Sequence, residues 1–96
     1  FSLKNMSGEQ KFLRFEDNKI CITLDYVNNS KNLLFMSKID NLYEKYEILP
    51  SIIKDSRITK KIFDKSYKNS FEFKNQLNKF DKERTYQSEI SNRLGI

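Results

Sequence analysis

The chain has no histidine and no tryptophan, one cysteine, one proline and two glycines among 96 residues. Each shortage excludes something. One cysteine, Cys21, cannot form an internal disulfide and gives no zinc site. Without histidine, the usual nucleophile–base pairs and most transition-metal sites lack their commonest member. Neither a signal peptide nor a membrane-length apolar run is visible in the sequence. No stretch joins an activated base to a nucleophile or a metal cluster, so no enzymatic reaction class and no cofactor are expected.

Hydrophobic residues make up only 38%, but 8 Phe and 5 Tyr compensate, because each aromatic side chain buries a large area. The length suits one domain spanning 1–96 with one modest core. Eighteen Lys and Arg against 13 Asp and Glu leave a net charge of +5. Such a balance attracts nucleic acid, anionic lipid or acidic protein segments, and charge alone does not choose among them.

Alternation supplies most of the expected strands. Phe1 and Leu3 share a face in residues 1–5, and Leu13 and Phe15 share one in 11–16. Asp17 and Asn18 form a turn pair, because both residues tolerate left-handed backbone. In 19–26, Ile20, Ile22, Leu24 and Tyr26 fall on one side, so 11–16 and 19–26 read as a hairpin. Residues 28–32 read as a turn and 33–38 as a further strand. Residues 57–63 alternate with Arg57, Thr59 and Lys61 on one face, and Phe71 and Phe73 give period two across 69–75. Leu77, Phe80, Glu83, Tyr86, Ile90 and Leu94 then recur at three and four, which predicts an amphipathic helix of about four turns stopped by Gly95. Residues 37–46 are ambiguous: Ile39, Leu42, Tyr43 and Tyr46 fit a helix that Ser37 could cap.

A resemblance bears on that ambiguity. Phe71-x-Phe73-x-Asn75, then Lys82-Glu83-Arg84, Ile90 and Leu94, resembles the end of the pleckstrin-homology (PH) domain of the core subunit of transcription factor TFIIH, the p-sixty-two/Tfb-one family. Met36 to Leu42 resembles that family's fourth strand and the turn into its fifth, and Arg57 to Ile62 its sixth. The resemblance implies an α+β, mainly β fold: a PH-like antiparallel β-sandwich of seven strands, or six if residues 43–47 are irregular, capped by one C-terminal helix. It also implies a strand, turn and short strand at 37–46 in place of a helix.

The functional expectation combines this resemblance with charge. Residues 54–68 hold six cations and two acids, a local balance of +4. In the family the fifth and sixth strands form a basic groove that takes acidic disordered segments. Carried over by position, Tyr43 and Lys45 would line one side, Arg57, Thr59 and Lys61 the other, with Lys54 joining the basic face. Glu44 departs from the family by placing an acid where a neutral or basic residue is usual, and the link between the strands is longer. The implied role is docking, in the nucleus, of the TFIIE alpha tail, nucleotide-excision-repair factors and acidic activators, beside other TFIIH subunits. Specific nucleic-acid and membrane binding are not expected. Ser7 to Lys11 holds one acid and one base, too little positive charge for a multivalent phosphate headgroup.

Two alternatives come from the same C-terminal stretch. Gln87 to Ile96 matches the first helix and turn of a helix-turn-helix DNA-binding regulator, a motif that needs a second helix to enter the major groove. A scaffold module dimerising through the helix at 77–94 is the other. Phe80 and Tyr86 decide it, because no seam is left for a partner if both face inward.

Overall fold

The computed structural model describes residues 1–9, 12–13, 18–54 and 56–96. The described residues form two strands and four helices in the order β1 (Ser2–Met6), β2 (Lys19–Thr23), α1 (Ser30–Lys45), α2 (Lys60–Ser66), α3 (Ser70–Phe80) and α4 (Glu89–Leu94). This arrangement overturns the seven-stranded PH-like sandwich with a single helix, because the stretches assigned to its later strands are helical.

β1 and β2 pair antiparallel, with Leu3 opposite Ile22 and Lys4 opposite Cys21. The strand expected over 19–26 is thus shortened to Lys19–Thr23, and its partner is the N-terminal stretch. The strand expected over 11–16 falls largely outside the described residues, as does Asp17 of the expected turn. Leu3, Ile20 and Ile22 are all exposed, so the alternation that marks this hairpin does not mark a buried face.

α1 replaces the expected strand at 33–38 and the strand-turn-strand at 37–46. Its start lies in the stretch read as a turn: the Asn29 side chain accepts the Asn32 N–H at 2.9 Å and caps the helix. Asn32, Met36, Ile39, Asp40 and Tyr43 are its half-buried positions, spaced at three and four, so the local helical pattern prevails.

α2 replaces the expected strand at 57–63. Thr59 is its N-cap, accepting the Ile62 N–H, so Thr59 does not point to the same side as Arg57 and Lys61 along a strand. The buried residues here are Ile58, Ile62, Phe63 and Tyr67, a spacing of four, one and four that suits a helix face. The period-two reading took in only Ile58 and Ile62, which are also four apart.

α3 replaces the expected strand at 69–75. Phe71 and Phe73 lie about 200° apart around a helix, so they part company: Phe73 is half-buried and Phe71 is exposed. The Phe73 ring meets Phe12 edge-on at 6.0 Å, which ties the long connection after β1 to α3.

The four-turn helix expected from Leu77 to Leu94 is interrupted. α3 ends at Phe80, and the buried Asp81 carboxylate accepts the backbone N–H groups of Thr85 at 2.8 Å and Tyr86 at 2.9 Å. Arg84 adopts a left-handed backbone, φ 55°. Ser88 and Ser91 then form a reciprocal cap that starts α4. Gly95 ends the chain's last helix in the left-handed conformation, φ 71°, as its position suggests.

The core is small. Ile58, Ile62, Phe63, Tyr67 and Leu94 are buried, and Leu13, Tyr43, Leu49, Ile52, Ile90 and Ile96 pack around them. The Phe63 and Tyr67 rings lie 5.4 Å apart. The Tyr67 hydroxyl donates to the Pro50 carbonyl at 2.5 Å, which fastens the loop after α1 to α2. Arg93 donates to the Ile58 carbonyl at 2.6 Å and fastens α4 to the residue ahead of α2.

Candidate basic docking cavity

The end of α1 and the end of α2 come together beside the start of β2. Between them lies a shallow cavity of about 210 Å³. Tyr43 and Tyr46 from the last turn of α1 form its aromatic wall, and Ile48 and Leu49 from the following loop form its apolar side. Lys65 and Lys68 enter from the end of α2, and Lys19 from β2. Glu47 is the acid on its rim. The ammonium groups of Lys19 and Lys68 have no hydrogen-bond or ion-pair partner among the described residues.

The local sequence dictates this shape. The Tyr46 N–H bonds the Leu42 carbonyl and closes α1, and Pro50 keeps the following segment extended. Pro50 is buried and anchored by Tyr67, so the loop from Glu47 to Leu49 is held at both ends. Ser66 donates to the Ile48 carbonyl at 3.4 Å and fixes the loop to α2. Lys65 donates to the carbonyl of Glu44, which accepts at the exposed end of α1 where helix carbonyls lack partners.

The six residues expected to line a groove are divided by this arrangement. Tyr43 lines the cavity and packs against the core. Lys45 sits next to it with its ammonium 5.3 Å from the Tyr46 ring centre, in cation–π range. Arg57 makes a two-pronged ion pair with Asp40, at 2.8 and 3.3 Å. Lys61 pairs with Glu44 at 2.7 Å. Thr59 is committed to capping α2. Lys54 is exposed in the turn ahead of α2 and does not line the cavity. Arg57 and Lys61 therefore face the acids of α1, while Tyr43 and Lys45 lie with the cavity.

Lys19, Tyr46, Lys65 and Lys68 were not singled out from sequence. Lys65 and Lys68 belong to the basic stretch 54–68 that was. Once α2 is known to be a helix, Lys61 and Lys65 one turn apart become visible as one stripe. Nothing local marks Lys19, which arrives through the β1–β2 pairing, opposite Met6.

Tyr46 is an exposed aromatic at the cavity; two others sit away from it. Phe80 and Tyr86 both face solvent, on either side of the break after α3. Residues 87–96 form α4 and its cap, with Leu94 in the core and Ile90 packed against it. No three of the Cys, Asp and Glu side chains among the described residues are grouped to hold a metal ion, and no helix among them is long and apolar enough to cross a membrane. Comparison with known protein families, with curated proteins and with solved structures finds no match to this chain.

Proposed function

We propose that the chain is a docking module for an acidic, disordered protein segment that inserts one aromatic or aliphatic side chain into the cavity between α1 and α2. The observation that carries this reading is the cavity itself: two tyrosines and an apolar loop flanked by Lys19, Lys65 and Lys68. A volume of about 210 Å³ suits one large side chain, and the cations around it suit carboxylates on either side. The net charge of +5 favours an acidic partner at longer range. The expectation of acidic-segment docking is thus kept in kind, while its structural setting moves from a groove between strands to a notch between helix ends.

In the proposed mechanism the basic rim steers the segment and sets its register, and the anchor supplies the apolar burial. Ordering a disordered chain opposes binding, so affinities of about 10 μM to tens of nM, roughly −7 to −10 kcal/mol, are expected. Calorimetry with an acidic peptide carrying one Phe tests the reading. Lys68→Glu should weaken binding about ten-fold or more, whereas Lys4→Glu, the same change in net charge on β1, should cost much less. Replacing the peptide's Phe with Ala should weaken binding at any salt, because that loss is apolar. Raising salt should weaken the parent complex, since the Debye length is about 8 Å at physiological ionic strength. Equal losses for the two charge reversals would show a global charge effect and remove the cavity from consideration.

A further inference from the structure

We infer that Glu44 is a built-in competitor for the partner's carboxylates, so that α1 regulates the docking cavity it borders. This inference rests on the docking reading above and adds a regulatory residue to it. Asp40 and Glu44 lie one helical turn apart on α1 and face Arg57, just ahead of α2, and Lys61 on α2. Their two ion pairs differ in kind. Arg57 grips Asp40 with two nitrogens, at 2.8 and 3.3 Å, and both side chains are largely covered. Lys61 holds Glu44 by one contact of 2.7 Å, and those side chains are 75% and 45% exposed. The first is a geometrically strong clamp. The second is a solvated pair of the kind that contributes little to stability.

Glu44 is also the residue whose carbonyl accepts from Lys65, a cation of the cavity. Lys61 and Lys65 are one turn apart on α2, so Glu44 engages the whole basic stripe that leads into the cavity. Tyr43 packs α1 against the core, so the helix need not move: with the Lys61 and Glu44 side chains 75% and 45% exposed, rotation of the Glu44 side chain alone can release Lys61. A carboxylate of the docking segment can therefore replace the Glu44 carboxylate at Lys61, exchanging one solvated pair for another. Asp40 and Arg57 stay paired. Glu44 thus sets a threshold: a neutral apolar segment leaves Lys61 occupied, and only an acidic one gains it.

The test is calorimetry of the Phe-containing acidic peptide with the parent chain, with Glu44→Gln and with Glu83→Gln. Glu83 lies in the exposed turn after α3, and its substitution raises net charge equally. Glu44→Gln should tighten binding about three- to ten-fold beyond any change seen with Glu83→Gln. The gain should shrink as salt rises. In the parent chain the Glu44 side-chain carboxyl resonance should shift on titration while that of Asp40 stays in place, a readout that needs no variant. Equal effects of the two substitutions, weaker binding by Glu44→Gln, or a Glu44 resonance that does not move would overturn the competitor role and leave docking intact. If the parent and both variants fail to bind the peptide, the docking reading falls and this inference falls with it.

Discussion

Tyr67→Phe is the sharpest probe of how this small core is held. Tyr67 is 1% exposed, and its ring packs on Phe63. The substitution keeps the ring, so it opens no large cavity. It removes one hydroxyl, whose hydrogen bond to Pro50 is the buried link between the cavity loop and α2. A typical buried hydrogen bond contributes about 1 kcal/mol, and an acceptor left without a donor raises the loss to about 1–3 kcal/mol. For a domain of this size, about 1–2 kcal/mol corresponds to a fall in Tm of roughly 5–15 °C. Thermal melting followed by circular dichroism measures it. The same hydroxyl predicts a pH dependence. Burial pushes its pKa up to about 12 from 10.0, against a smaller opposing contribution from the Ile52 backbone. A group with a raised folded pKa gives its full stabilisation below the unfolded value and loses it as pH climbs through the folded one. The parent chain should therefore lose stability between pH 10 and 12, with a steeper decline than Tyr67→Phe in that window. Melting temperatures that agree within about 1 °C at neutral pH, with parallel alkaline declines, would refute the buried link.

Leu94→Ala should cost about 2–4 kcal/mol in urea unfolding, because Leu94 is fully enclosed by residues around α2, whereas the half-buried Ile90→Ala should cost less. Equal midpoints for Leu94→Ala and the parent would place α4 off the core. Gly95→Ala should destabilise by about 1–2 kcal/mol, since φ is 71° and the added methyl would approach the Lys60 side chain at 3.0 Å; an unchanged melting curve would contradict the left-handed cap. The Asp81 carboxyl titrates below the usual carboxylate range, chiefly because the Tyr86 N–H bonds it, with the Thr85 N–H and nearby Arg84 adding to the effect. Its contribution is present above the unfolded carboxylate pKa and is lost as pH falls through the folded one. Asp81→Asn should therefore show a shallower acid decline than the parent in a pH series of melts, and identical slopes would refute the carboxylate's role in ending α3.

The sequence by itself determined the local signals that act within a turn or two. The first strand, the start of the second and the stop at Gly95 follow from alternation and from glycine's tolerance of positive φ. The helical spacing of Ile39, Leu42, Tyr43 and Tyr46 was likewise legible, and α1 follows it over the strand that the resemblance implied. Tyr43 and Lys45, at the end of that helix, were named from sequence and do lie at the cavity or next to it. Where two periods fit the same residues, the sequence could not choose. Ile58 and Ile62 are two alternating positions on a strand or one turn of a helix, and Phe71 and Phe73 alternate only until one of them finds a partner. Phe63 and Tyr67 tipped the first case, because burying both rings together needs the spacing of four. Phe12 tipped the second by meeting Phe73 from the other end of the chain. Charge shows the same division. A net +4 over 54–68 is visible in composition, but Arg57 and Lys61 spend their charge on Asp40 and Glu44, seventeen residues away. Only tertiary packing decides which cations are paired, because ion pairs form through space, and it alone brings Lys19 from β2 to Lys65 and Lys68 at the end of α2 around one cavity.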